Sequence, residues 1–275
     1  MPQSAIETFI ALLFAHTLAD FTFQSNWMAL NKRNPLALGL HLVIVYATAV
    51  VATGSVHPAL LALALVHIGI DTGKLVLRAA WKTAGGLTLF LIDQALHLVS
   101  LLALTLWLPD LWAEGLWAPG TLVTGEDGGI LGTGLWSSET ALPVSHLPVL
   151  MLLLTGLILS TRTGGFAVGL LMEPFAPHLG KGDAGKSLPG AGRVIGYLER
   201  GLIYALVLFG QAQGVGLLIA AKSILRFGAV KDDRRLSEYV IIGTLASFGW
   251  ALVVAYATLA GLTLLPPLGI QPATP

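Results

Sequence analysis

The chain contains no cysteine. Disulfides, thiolate metal sites and cysteine nucleophiles are therefore excluded. Charge is scarce as well: 11% of the 275 residues are Asp, Glu, Lys or Arg, against about 25% in an average soluble domain. The 15 Lys and Arg balance 15 Asp and Glu, so net charge says nothing about partners; it is the scarcity of charge that leaves little for the basic face nucleic-acid binding requires. These shortages argue against a soluble enzyme, a disordered chain and a nucleic-acid partner. What the chain has is apolar residues: 55% are hydrophobic and the mean hydropathy is +0.79. The composition predicts an all-α, polytopic transmembrane helix bundle embedded among membrane lipids.

Crossing the hydrocarbon takes about 20 mostly apolar residues. Candidate spans fall at 5–24, 37–56, 58–79, 87–108, 147–171, 194–220 and 238–264, about seven in all. Residues 1–109 read as a four-span up-and-down bundle, because the connections are short: Asn31–Pro35, His57-Pro58 and Lys82–Gly86. The first span holds His16 and Asp20 and lacks a basic leader and an A-x-A cleavage site, so it reads as a span and not a signal peptide. Lys32 and Arg33 in loop one-two, and Arg78 and Lys82 around loop three-four, place those loops in the cytoplasm by the positive-inside bias. Residues 110–146 then form an extracytoplasmic loop with five acids and no Lys or Arg. Trp107, Trp112, Trp117 and Trp136 in and beside it suggest an interfacial aromatic belt.

Residues 147–275 do not close neatly. Basic residues at 174–193 and at 222–235 both look cytoplasmic, yet only about 28 residues separate them, too few for two crossings. Two resolutions stay open. One is a re-entrant hairpin broken at Gly210–Gly214; the other is a broken pair around Thr161–Gly165.

The few polar residues inside the spans are ordered. Span one has His16 and Asp20, with Gln24 a turn on; span two has His41. Span three has His67 and Asp71, then Lys74; span four has Asp93, Gln94 and His97. Each His–Asp pair is spaced i,i+4 and so shares a helix face. Spans one and three read His then Asp, and span four, running the other way, reads Asp then His. Folding should therefore bring His16, His41, His67, His97, Asp20, Asp71 and Asp93 to one depth in the inner leaflet. Charges inside spans are costly and are functional candidates by default. A hydrogen-bonded structural network and a proton relay are the plainer readings, but three pairs in matched register favour a metal site.

Imidazole and carboxylate donors suit a divalent metal, zinc foremost, with iron or manganese as alternatives. Asp20, Asp71, Asp93 and Lys74 are the candidate catalytic groups. Gln24, Gln94 and Lys74 at the rim, with Glu199 and Arg200 at the start of span six, are the candidate substrate contacts. For Glu199 and Arg200, and for Lys222 and Arg226 facing Glu238, interfacial charge and helix pairing are the simpler account.

Gly180–Ser187 matches the phosphate-loop pattern G-x-x-x-x-G-K-[ST]. That loop needs a preceding strand and a following helix, whereas Pro174 and Pro177 precede it here and Pro189-Gly190 follow it. It reads as a basic loop.

Several blocks together resemble an uncharacterised bacterial family of multi-pass inner-membrane proteins, a domain of unknown function. They are His16-x3-Asp20-x3-Gln24 with Trp27, His41, Asp71-x2-Lys74, Asp93-Gln94-x2-His97, Gly192-Arg193 through Glu199-Arg200, Ala221-Lys222-Ser223 with Arg226-Phe227, and Glu238-Tyr239 through Ser247. The resemblance implies a location and no activity. The function expected from the cluster is a metal-dependent membrane hydrolase acting on a lipid or lipid-linked substrate. The alternative is a divalent-metal or proton-coupled transporter using the same residues. A homo-oligomer is compatible with either.

Overall fold

The computed structural model describes residues 1–117, 146–178, 188, 190–227 and 234–266, with side chains placed to 223 in the third stretch. Among them the chain is helical throughout, with no strand. The helices are α1 (Gln3–Leu18), running on as a π-helical turn (Ala19–Phe23), α2 (Asn26–Leu30), α3 (Pro35–Thr53), α4 (Pro58–Ala80) and α5 (Gly86–Trp107). Then come α6 (Leu147–Ile158), a second π turn (Leu159–Thr163), α7 (Gly164–Met172), a 3-10 turn (Glu173–His178), α8 (Ala191–Leu208), α9 (Gln213–Phe227) and α10 (Arg234–Leu262).

Among the described residues six stretches are long and apolar enough to cross a membrane: Gln3–Phe23, Pro35–Thr53, Pro58–Ala80, Gly86–Trp107, Leu147–Pro177 and Arg234–Leu262. The protein is thus a polytopic helical membrane protein. Six of the expected spans match, and the one expected at 194–220 does not. There α8 ends at Leu208, Gly210 takes a left-handed φ of 72°, and α9 returns. Gly214 packs by Leu206, and Lys222 reaches back to Glu199. Of the two open resolutions, the chain reverses near Gly210 and runs on as helix through 161–165.

Local sequence explains the helix ends. The Asn34 side chain accepts from Leu36 N at 2.9 Å with Pro35 at the first helical position, and the His57 ring accepts from Ala59 N ahead of α4 with Pro58 placed likewise. α3 stops at Gly54, whose φ is +66° and where a Cβ would fall 2.8 Å from Leu116 N.

The chain divides into two compact units. The first comprises Met1–Lys82, Ile92–Thr155 and Gly261–Pro275. Its apolar core gathers Leu12, Leu60, Leu101, Leu104 and Trp112. Alanines at 11, 15, 19, 49 and 64 are buried where α1, α3 and α4 meet, and small residues of this kind let membrane helices approach closely. Trp112 is 2% exposed, so it belongs to this core and not to an aromatic belt; its backbone N–H donates to Thr8 Oγ1. Trp107 remains exposed, and Trp136 lies outside the described residues.

The second unit comprises Thr83–Leu91 and Gly156–Ala260, with a core of Ile203, Tyr204, Val207, Phe248 and Ala251. The phosphate-loop match at 180–187 lies outside the described residues.

Candidate metal centre

All seven candidate ligands lie in the first unit, on α1, α3, α4 and α5 near one end of the bundle. His16, His41, His67, His97, Asp71 and Asp93 are buried, and the Asp20 side chain is 10% exposed. The four imidazoles pack on one another: ring centroids are 4.1 Å apart for His67–His97, 4.9 Å for His16–His97, 5.1 Å for His41–His67 and 5.4 Å for His16–His67.

The tightest group joins three helical segments. Asp20 Oδ1 lies 3.1 Å from His67 Nε2 and 3.4 Å from His41 Nε2, and those two nitrogens are 3.1 Å apart. Metal–nitrogen and metal–oxygen bonds of about 2.0–2.1 Å put neighbouring ligand atoms about 3.4 Å apart in a tetrahedron and about 2.9 Å apart in an octahedron. The observed triangle falls in that range. Asp71 Oδ2 stands 3.5 Å from His41 Nε2, where it could complete the set. Asp20 is placed by the π turn that begins one residue before it; such turns inside helices occur often at functional sites.

Each carboxylate finds its nearest charged or imidazole partner on another element and not on its own helix. The i,i+4 pairs His16–Asp20 and His97–Asp93 approach only to 3.9 and 4.0 Å. Asp71 Oδ1 instead accepts from Lys32 Nζ at 2.6 Å, and Asp93 Oδ2 from Lys74 Nζ at 2.9 Å. Lys32 was missed as a site residue when the sequence was read, having served only to orient the loop. Its signal was positional: a lysine in the short link between two cluster-bearing spans must sit near that end of the bundle.

Gln24 and Gln94 are partly buried beside the cluster. Gln24 Nε2 is 3.1 Å from His41 Nε2, and Gln94 bridges Asp93 and His16. On the deep side a cavity of about 10 Å³, lined by Leu12, Ala15, Leu63 and Ser100 among others, touches His16 and His67; that is about room for one water.

Orphaned polar atoms concentrate here. His16 Nδ1, Asp20 Oδ1, His41 Nδ1, Asp71 Oδ2, Asp93 Oδ1 and His97 Nε2 are buried without an aligned hydrogen bond. Asp20 Oδ1 has imidazole nitrogens in reach but not in hydrogen-bond alignment. Three carboxylates against two lysines leave the cluster at −1 when its imidazoles are neutral. Buried charge without a partner is costly, so the donor set fits a cation.

Glu199 and Arg200 belong to the second unit. Glu199 Oε2 accepts from Lys222 Nζ at 2.6 Å. Arg200, 4% exposed, donates from Nη2 and Nε to Thr161 O at 2.9 and 3.2 Å and from Nη1 to Ser247 Oγ at 3.0 Å. Glu238 pairs with exposed Arg234, not with Lys222.

The molecule is therefore a multi-pass helical membrane protein with a buried His–Asp cluster in its N-terminal bundle. Residues 8–115 match the model of a family described as Protein of unknown function (DUF3307). The match takes in the whole cluster and ends before the C-terminal blocks. No curated protein and no solved structure matches the chain.

Proposed function

We propose that this protein is a metal-dependent hydrolase of the bacterial inner membrane, acting on a lipid or lipid-linked substrate from the cytoplasmic leaflet. The observation that carries the reading is the triangle of Asp20, His41 and His67 donor atoms, 3.1–3.4 Å on each edge, brought together from three parts of a buried bundle. A divalent metal bound there, zinc on the preference of such donors, would supply a Lewis acid and a water that ionises near neutral pH.

The chain's own residues provide the rest. The free oxygens of Asp71 and Asp93 are proton acceptors, each carboxylate steadied through its other oxygen by a lysine. Lys32 and Lys74 are 17% and 29% exposed, which puts two ammonium groups at the mouth for an anionic headgroup. α2 has no buried residue and exposes Trp27 and Leu30. Its flanking Gln24 and Lys32 both touch the cluster. That apolar strap suits delivery of a lipid from the interface.

The transport alternative has less support. Beyond the cluster, Leu12, Leu60 and Leu104 belong to the packed apolar core of the first unit.

The test is elemental analysis of the full-length protein in detergent, together with hydrolysis of phosphate-ester and acyl-ester lipids in mixed micelles. We expect bound metal and a chelator-sensitive activity, both lost in Asp20→Ala and His67→Ala. A wild-type protein that binds no metal would abandon the reading.

A further inference from the structure

We infer that the cluster holds two metal ions, bridged by the Asp20 carboxylate. This rests on the metal reading above and goes beyond it by assigning a second site to His16, Asp20 and His97.

The inference begins with a chain of hydrogen bonds that fixes two tautomers. Asp93 Oδ2 is a carboxylate oxygen and only accepts, so the Gln94 group facing it at 3.2 Å is the amide NH2. That turns Gln94 Oε1 towards His16 Nε2, 3.3 Å away. The amide oxygen accepts only, so Nε2 carries the proton and His16 Nδ1 carries a lone pair. His97 Nδ1 lies 2.9 Å from the backbone carbonyl of Asp93, so Nδ1 donates and His97 Nε2 carries a lone pair.

Both lone-pair nitrogens are buried and unpartnered; their residues are 8% and 1% exposed. The two rings stack, and His16 Nδ1 is 3.9 Å from Asp20 Oδ2. One donor atom from each of His16, Asp20 and His97 lies within 4.8 Å of the others. Two unpartnered imidazole lone pairs and the Asp20 carboxylate are thus gathered in one buried group. A cation makes that arrangement favourable, and the outer hydrogen bonds with Gln94 and the Asp93 carbonyl are the kind that orient ligating imidazoles.

Asp20 then serves both sites, Oδ1 towards His41 and His67 and Oδ2 towards His16. The competing set, His67, Asp71 and His97, would require one imidazole to be shared between ions, whereas a carboxylate bridges through its two oxygens without strain. Carboxylate-bridged pairs about 3.5–4 Å apart clamp the attacking and leaving oxygens of a displacement. With Lys32 and Lys74 at the mouth, the substrate class that fits is a phosphate ester.

Metal content per chain decides it. The full-length protein loaded with manganese should hold two ions and give an exchange-coupled paramagnetic resonance spectrum. His97→Gln should hold one, with a six-line mononuclear signal, and so should His41→Gln. Gln94→Leu leaves every ligand in place and frees the His16 tautomer; it should weaken the second ion at least tenfold and leave the first unchanged. One ion in the wild type, unaffected by His97→Gln and Gln94→Leu, overturns the bridged pair and leaves the single-metal reading intact. No ion in the wild type overturns both.

Discussion

Two π-helical turns interrupt the spans of this protein, and the charged groups beside them are treated in opposite ways. Around Leu159–Thr163 in the second unit the backbone carbonyls are met: Thr161 O by two nitrogens of Arg200, and Leu159 O by Trp250 Nε1 at 2.8 Å. Ser160 Oγ returns the contact by donating to Arg200 O. Gly164, Gly165 and Gly196 leave room for the Arg200 side chain, since a Cβ at any of them would crowd its Cδ or guanidinium nitrogens at 3.1–3.2 Å. Around Ala19–Phe23 in the first unit, the π turn sets Asp20 among imidazoles and leaves acceptors facing acceptors. A buried charge held on each of its nitrogens by a neighbouring acceptor is a clamp; one whose neighbourhood is left incomplete is waiting for a ligand. Intramembrane charge by itself does not distinguish the two.

The largest effect we expect comes from breaking the clamp. Arg200→Ala strands Thr161 O and the Ser247 hydroxyl and opens a void, costing about 4 kcal/mol. The readout is a lowered Tm of the detergent-solubilised protein, with metal content per folded chain unchanged. His67→Gln should do the reverse: metal is lost, while the metal-free protein melts near the wild-type metal-free value. If Arg200→Ala removed metal, or His67→Gln melted the apo protein as severely, the contrast between the two turns would fail.

The lysine–carboxylate pair over the cluster comes next. Lys32 and Asp71 meet at 2.6 Å, with side-chain exposures of 17% and 2%. Lys32→Met leaves a buried carboxylate unpaired and should cost about 3 kcal/mol in the metal-free protein. Asp71→Asn leaves an ammonium that can turn to water and should cost about 1 kcal/mol. Added metal should restore much of what Lys32→Met loses, because it compensates the same charge. Equal costs for the two variants, unmoved by metal, would mean that Asp71 does not face the cation site. In the second unit Lys222 and Glu199 also meet at 2.6 Å, at 18% and 12% exposure, and Lys222 stands 5.1 Å from the Phe248 ring. Lys222→Met should cost about 1 kcal/mol, with no dependence on metal.

Much of the first unit was legible because its signals are local. Apolar runs bounded by Asn34-Pro35 and His57-Pro58 gave spans whose ends agree within three residues. The His and Asp residues could be set at one depth because alternating helix direction reverses their order. The π turns could not be read, because a π turn is a choice between hydrogen-bonding registers and leaves no residue pattern in 19–23 or 159–163. Lys32 and the Gln94 bridge were not read as supports because their partners are 39 and 78 residues away. The span expected at 194–220 failed for a similar reason: its apolar stretch is long enough, but Gly210 turns the chain back on itself. Arg200 stands as a candidate substrate contact beside the simpler account of interfacial charge, because a charge near a span end looks the same in sequence whether it faces a ligand or a carbonyl.

The smallest effect expected is at Arg234 and Glu238, and it serves as the control for the rest. They form an i,i+4 pair at 2.9 Å, as short as Lys74–Asp93, and by distance alone the two would rank together. Exposure separates them: 91% and 57% for the first, 29% and 4% for the second. Water solvates the outer pair whether or not it forms, and salt screens it. Glu238→Gln should therefore leave Tm and metal content unchanged at any ionic strength. Asp93→Asn keeps the shape but removes the buried charge that Lys74 and the Gln94 amide share, so it should loosen the hold on His16 and lower metal occupancy. If Glu238→Gln changed metal content as much as Asp93→Asn, proximity of charge would matter more than burial, and the reading of the cluster as a site apart would lose its basis.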